Sequence, residues 1–415
     1  MHDVIFVDDE ASILSALRRS LYAYRDRWDM RFVGSAQEAI ESMQARPADV
    51  VVADFRMPGM DGGQLLTVVR ERWPDTARLM LSGHTEEDDL LQMITVAQRF
   101  LDKPCDRDVL VDAIESALRT RAALEGNDLR AEIGALSMLP STAQTLDQLQ
   151  LVLGRRDATV SDLAAIVQRD IGLTVKVVQL ANSALFGGPG EFSTVHSALQ
   201  RLGVQTIRSV ALMHGLAEPV RASGPVHSDW LSRLNASAVL TAQLAVRLVR
   251  EDEADAAICA ALLGESGQLV FAACRPEEFE RMLTETSPAD LHQREYAHFG
   301  MSHARAGAYL LELWGFPSPV VGAVATHDQP PRQSQSPAVS IPDALRIARQ
   351  RAAERHRGVC PPSYPVTTTT DDDQAAFAAS AGQDSRLPPH RPRSCLWTTS
   401  RTSSTVCAGC CATSS

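Results

Sequence analysis

The sequence predicts a doubly wound α/β domain on a five-stranded parallel sheet, followed by an all-α domain and a disordered C-terminal tail. Three observations lead there. Residues 2 to about 120 alternate short apolar runs with stretches of helical spacing, the signature of a parallel sheet wrapped by helices. From about Ile133 to His327 the apolar spacing is helical throughout, broken by clusters such as Phe186-Gly-Gly-Pro-Gly190 and Gly315-Phe-Pro317. Past about residue 330 the chain is rich in Pro, Gln, Ser and Thr.

Taken in order, the apolar runs expected as strands are Val4 to Val7, Met30 to Val33, Val50 to Ala53, Arg78 to Leu81 and Arg99 to Leu101. Between them Ala11 to Tyr24, Ala36 to Arg46, Gly63 to Arg72, Glu86 to Val96 and Val109 to Leu124 place apolar residues at i, i+3, i+4 and read as helices. The charged stretch Arg119 to Arg130 continues the last of these, so the linker is expected to be a helical extension rather than a flexible tether. The expected division is 1–120, a linker at 121–132, a helical domain at 133–330 and a tail at 331–415. Within the tail a short helix is expected at Pro342 to Arg355. Disorder is expected from about residue 357, through the runs Thr367 to Thr370 and Asp371 to Asp373, because so polar a segment buries too little surface to offset ordering entropy.

A chain of 415 residues exceeds one ordinary core and suits two domains and a tail. With 45% hydrophobic and 22% charged residues it has the composition of a soluble globular protein, and with 5% aromatic residues its cores must rest on Leu, Val, Ile and Ala. A formal net charge of −11 disfavours non-specific attraction to phosphate backbones or anionic lipid, so neither nucleic acid nor membrane is an expected partner. The N-terminus meets an acidic cluster after four apolar residues, and no run of about 18 apolar residues occurs, so the chain reads as cytoplasmic. Eight scattered cysteines suit a reducing compartment. Cys105, Cys259 and Cys274 read as ordinary core or surface residues, and Cys407-Ala-Gly-Cys410-Cys411 has no second pair at zinc-finger spacing.

In an open doubly wound sheet the ligand site lies at the carboxyl ends of the strands, so the residues following each strand are the candidates. They are Asp8 and Asp9 after the first, Asp54 after the third, Ser82 after the fourth, and Lys103 with Pro104 after the fifth. Three carboxylates on one sheet edge raise one another's pKa unless a cation shares the site. Magnesium suits it, accepting carboxylates, a backbone carbonyl and a phosphoryl oxygen while keeping several waters. Asp54 could then act as a nucleophile toward a phosphoryl group, with Lys103 and Ser82 holding the transferred oxygens. Singly, Asp8 and Asp9 could cap a helix and Asp54 could open a turn, but together five polar groups after the right strands favour a site.

The segments Val7-Asp-Asp-Glu10, Asp54-Phe-Arg-Met-Pro-Gly-Met-Asp-Gly62, Leu81-Ser-Gly83 and Phe100-Leu-Asp-Lys-Pro104 resemble the flavodoxin-like receiver domain of two-component response regulators, over residues 2 to about 120. The resemblance implies that Asp54 accepts phosphate, that Asp8, Asp9 and the backbone carbonyl of Arg56 hold Mg2+, and that Ser82 and Lys103 sense the phosphoryl group. It also implies that Phe100 is an aromatic switch and that a sensor histidine kinase is the partner.

Leu136-Ser-Met-Leu-Pro140, Val160 to Asp170, Leu180-Ala-Asn-Ser-Ala184, Ala198-Leu-Gln-Arg-Leu-Gly203, Gly300-Met-Ser-His303, Leu313-Trp-Gly-Phe-Pro317 and His327 resemble the HDOD domain, a relative of HD-type phosphohydrolases, over about 133 to 330. Where such a hydrolase carries a His-Asp metal dyad, this chain has Gly264 and Glu265. Glycine offers no imidazole, so the two-metal motif is broken and a non-catalytic output is expected. Without the dyad, His303, His327 and Asp328 read as structural. Asn182 and Ser183 read as a cap or turn, and Ala238 to Val249 and Gly307 to Trp314 as internal packing faces. The expected function is a phosphorylation-controlled regulator whose helical domain binds an unidentified protein or small molecule, with a homodimer left open. The rivals are a metal-dependent HD-type phosphohydrolase or cyclic-dinucleotide phosphodiesterase, and a DNA-binding transcriptional regulator. Against the latter, no helix-turn-helix with a basic recognition face follows the receiver.

Overall fold

A computed structural model describes residues 1–83, 95–155, 157–183, 194–216, 225–285, 291–329 and 339–355. The chain divides into two units, 1–366 and 367–415. The second unit lies outside the described residues. So do most of the helix expected at Glu86 to Val96, the cluster Phe186 to Gly190, and the tail from 356 onward.

The strands β1 (His2–Val7), β2 (Trp28–Val33), β3 (Val50–Asp54), β4 (Ala77–Ser82) and β5 (Arg99–Asp102) form one sheet in the order β2-β1-β3-β4-β5, with every neighbouring pair parallel. Val4, Ile5, Val50, Val51, Val52 and Ala53 are fully buried, as strands covered on both faces require. The covering helices are α1 (Ala11–Ser20), α2 (Ala36–Ala45), α3 (Gly62–Arg72) and α4 (Arg107–Ala123). Local chemistry sets their starts: Ser35 accepts from the backbone N–H of Glu38, Asp61 and Gln64 form a reciprocal capping box, and Asp106 accepts from Asp108. The first helix is shorter than the apolar spacing suggests, ending at Ser20 before a tight turn at Tyr22–Tyr24.

The linker departs from expectation. Helix α4 stops at Ala123, the chain turns through Gly126 at φ 79°, and α5 (Leu129–Ala135) begins afresh. The composition Glu125-Gly-Asn-Asp128 explains the break. Glycine takes the left-handed conformation at no steric cost, and the Asn127 side chain accepts from the Leu129 backbone N–H at 2.8 Å.

The second domain is helical among its described residues: α6 (Ala143–Leu153), α7 (Val160–Val167), α8 (Ile171–Ala181), α9 (Val195–Leu216, kinked at Gly203), α10 (Pro225–Ala245), α11 (Ala254–Leu263), α12 (Ser266–Cys274), α13 (Pro276–Thr284), α14 (Leu291–Phe299), α15 (His303–Leu313), α16 (Ser318–Thr326) and α17 (Ile341–Arg355). Residues Glu251–Cys274 are long and apolar enough to cross a membrane by length and composition, but this stretch is broken at Gly264 and Glu265, and its most apolar window is 78% buried in the protein. Helices α12 and α15 approach backbone to backbone. A Cβ on Gly267 would lie 1.7 Å from the carbonyl oxygen of His303, so only glycine permits this crossing.

The second domain packs on the β5 side of the sheet. Gln179 on α8 donates to the Gln98 carbonyl at 3.1 Å, and the Arg99 guanidinium donates to the carbonyls of Glu312 and Leu313 at the end of α15. Arg78, fully buried on β4, reaches the Gly134 carbonyl at 2.7 Å. Burial lowers its pKa to about 9, with nearby Arg70 adding to the shift.

Candidate functional site

The strand order reverses beside β1, which pairs β2 on one side and β3 on the other, and this is where open α/β sheets bind ligands. Asp8 and Asp9 follow β1 and Asp54 ends β3, so the crossover brings the three carboxylates together: their oxygens lie within 4.8 Å of one another. Asp8 is 1% exposed and Asp54 8%, whereas Asp9 is exposed at the rim. Lys103 Nζ bridges the pair, 2.7 Å from Asp8 Oδ2 and 2.8 Å from Asp54 Oδ1.

Each member is held by its backbone. The Asp8 side chain accepts from the Glu10 N–H at 2.9 Å, and the Lys103 N–H donates to the Ser82 carbonyl at 2.9 Å. Gly62 backs directly onto Asp54, since a Cβ there would lie 2.1 Å from the Asp54 carbonyl oxygen. Burial raises the Asp54 pKa, helped by the Asp8 charge and opposed by Lys103 and the Phe55 N–H. For Lys103, burial acts against the charge, but hydrogen bonds to Asp54 and Asp8 outweigh it and raise the pKa. The donor set is oxygen-rich and carries more negative charge than one ammonium offsets, which suits a hard divalent ion such as magnesium.

The remaining candidates lie on or just after the strands of the same sheet. Ser82 is buried at the end of β4, opposite Asp102 in register. Arg56 lies two residues past Asp54 with an exposed side chain. Phe100 is buried on β5 and lines a cleft of about 760 Å³ between the two domains. The far wall of that cleft includes Asn182, Ser183, Trp314 and Phe316. Asn182 caps the C-terminus of α8 and the Ser183 hydroxyl donates to the Leu180 carbonyl at 2.6 Å, so the expected cap-and-turn role is observed, at an interface that no motif marks.

Beneath this interface Lys176 is fully buried, donating to the Ser137 carbonyl and to Gln179 Oε1, each at 3.0 Å, with its Nζ 5.3 Å from the Trp314 ring centroid. Burial lowers its pKa to about 7. In the unfolded chain a lysine titrates near about 10.4, so above about pH 7 the unfolded state binds the extra proton and stability rises with pH, by up to about 1.4 kcal/mol per unit. Below about pH 7 both states are protonated and the gain is absent. Urea midpoints of Lys176→Met are expected to lack this slope between about pH 7 and pH 9, and an unchanged slope would refute the assignment.

A second cluster lies within the helical domain, at positions the sequence reads as structural. Ligand atoms of Glu265, His303 and His327 lie within 4.8 Å of one another, and all three residues are buried. Asp328 stays apart, paired with His292 at 2.9 Å. Glu295, fully buried, accepts from His303 Nδ1 at 2.8 Å, and Arg349 Nη2 lies 2.6 Å from Glu265 Oε1. Burial opposes the charge on Glu265, but Arg349 and His303 outweigh it and lower the pKa. Burial also lowers the His327 pKa to about 3. Glu295 and Arg349 are absent from any motif, and no local signal marks them.

Comparison with known proteins agrees with this organisation. The model of the response regulator receiver domain matches residues 4–115, and that of the HDOD domain matches residues 139–330. The chain is similar to the hydrogenase transcriptional regulatory protein HoxA of Cupriavidus necator, with 33% identity over 147 residues, covering 35% of this chain and 30% of the relative. It is also similar to the regulatory protein LuxO of Vibrio cholerae, with 32% identity over 148 residues, covering 34% and 32%. The chain thus spans about a third of the length of these curated relatives. Among solved structures, the MmoQ response regulator of Methylococcus capsulatus aligns at 22% identity and a TM-score of 0.47, over 54% of this chain and 89% of that one. The fold and the acidic pocket define a protein of two-component signal transduction. More narrowly, the chain is a response regulator in which a receiver domain precedes an HDOD domain.

Proposed function

We propose that the chain is a cytoplasmic phosphorelay protein: a sensor histidine kinase phosphorylates Asp54, and the signal leaves through a non-catalytic HDOD output. The single observation that carries this reading is the Lys103 ammonium held between buried Asp8 and Asp54, beside the edge strand on which the helical domain rests. In this reading Asp8, Asp9, Asp54 and the Arg56 carbonyl hold Mg2+, which when bound screens the carboxylates and the incoming phosphoryl oxygens. An Asp54 carboxylate oxygen attacks phosphorus and the bond to the donor breaks. Lys103 and Ser82 then hold the transferred oxygens.

The added charge, roughly −1.5 to −2, acts remotely only by biasing an element with two arrangements. The candidate is β5: Lys103 follows its end, Phe100 sits within it, and Gln98 and Arg99 at its start bond to the helical domain. The output partner is a protein or small molecule that meets the surface freed or reshaped at that contact. Hydrogen exchange of the full chain, with and without acetyl phosphate and magnesium, tests the route. Protection is expected to change at 98–102, 171–183 and 312–316, whereas a change confined to the loops around Asp54 would rule it out.

A further inference from the structure

We propose that Glu265, His303 and His327 form a binding site for one divalent ion of the zinc class, with the Arg349 guanidinium as its internal rival. The proposal goes beyond the phosphotransfer reading and does not depend on it. Its first support is orientation. His303 Nδ1 donates to the Glu295 carboxylate and His327 Nδ1 donates to the Val324 carbonyl at 2.7 Å, so in each neutral ring the lone pair lies on Nε2. Both Nε2 atoms are buried without a hydrogen-bond partner, in residues that are 0% and 1% exposed. An unpartnered buried nitrogen is costly, and two directed at one carboxylate suggest a group that would satisfy them.

The second support is spacing and room. His303 Nε2 already lies 3.6 Å from Glu265 Oε2, and tetrahedral zinc with ligands at about 2.0–2.2 Å needs donor atoms about 3.3 Å apart. Position 264 faces the cluster, since a Cβ there would lie 3.9 Å from His327 Nε2, and glycine puts no side chain beside it. Two imidazoles and a carboxylate are a donor set for zinc rather than for magnesium or calcium. Glycine at 264 adds no ligand, so the geometry assigns one ion and not a pair.

Arg349 marks where positive charge is wanted. Its guanidinium neutralises Glu265 from α17, a helix that packs on α10, α11 and α16 and lies beyond the residues matched by the HDOD family. Arg349 holds Glu265 Oε1, whereas Oε2, the oxygen nearest His303 Nε2, accepts from Gln268 Nε2 at 2.8 Å. An ion there displaces Gln268 from that oxygen and shares the carboxylate charge with Arg349, so ion binding and the docking of α17 oppose each other through charge.

The test is zinc and cobalt titration of the full chain with excess magnesium present to occupy the receiver. The wild-type chain is expected to bind one ion that His327→Ala does not, with a cobalt spectrum free of thiolate charge transfer, which separates this site from Cys407, Cys410 and Cys411. Glu295→Gln is expected to weaken binding roughly 10–100-fold, because the carboxylate that orients the His303 ring through Nδ1 is lost. Equal zinc binding by wild type and His327→Ala would overturn the proposal. If His327→Ala fails to fold, Arg349→Gln decides: affinity about tenfold tighter or more supports the site, corresponding to about 1.4 kcal/mol, and unchanged or weaker affinity overturns it.

Discussion

Incubated with acetyl phosphate and magnesium, the wild-type chain is expected to take up one phosphoryl group and Asp54→Asn none. The contrast should be nearly all-or-none, because the three carboxylates are not equivalent. Asp8 is buried with one oxygen on the Glu10 N–H and the other on Lys103, and Asp9 is exposed at the rim. Asp54 alone ends the central strand β3 at the crossover, with an ammonium 2.8 Å away to receive the transferred oxygens. Asparagine keeps the shape and the Gly62 contact while removing the nucleophile, so a folding defect should not confuse the result. Intact-mass spectrometry reads the outcome, and chelation of magnesium should abolish labelling of the wild type. Equal labelling of the two chains would sink the reading of the pocket.

The second large effect is expected from Gly267→Ala. One methyl group, placed 1.7 Å from a backbone oxygen, cannot be absorbed by rotating a side chain, so α12 and α15 must separate. Overpacking typically costs about 1–3 kcal/mol and occasionally more, and because both partners here are backbone, about 3 kcal/mol or more is expected. Gly322→Ala in α16 is the control: it is exposed, has nothing within 4 Å, and should be neutral or stabilising by up to about 1 kcal/mol. Urea denaturation compares the two variants, and equal midpoints would show that the helix pair yields more readily than the geometry implies.

The first of these sites was legible in the sequence and the second was not, for a physical reason. A parallel sheet converts sequence order into position: whatever follows each strand arrives at one edge, so Asp8, Asp9, Asp54, Ser82 and Lys103 could be placed together from short apolar runs alone. Helix packing has no such rule. Glu265 and His303 meet because Gly267 and Gly307 let α12 and α15 touch, His327 arrives at the end of α16, and Arg349 arrives on a helix from the segment expected to be tail. The Gly264-Glu265 substitution was visible, but that the two histidines would still converge on Glu265 was not. The break in the linker was visible in principle at Glu125-Gly-Asn-Asp128, where turn chemistry prevailed over the helical spacing on either side.

The exposed rim of a β-sheet is ordinarily a template for another chain. Here the helical domain acts as a lid over that rim, through Gln179 on the Gln98 carbonyl and through Arg99 on the end of α15. Two receivers joining along this rim would have to displace those contacts in each copy. Any self-assembly by that route would then be linked to opening within one molecule, and dilution would favour the closed form.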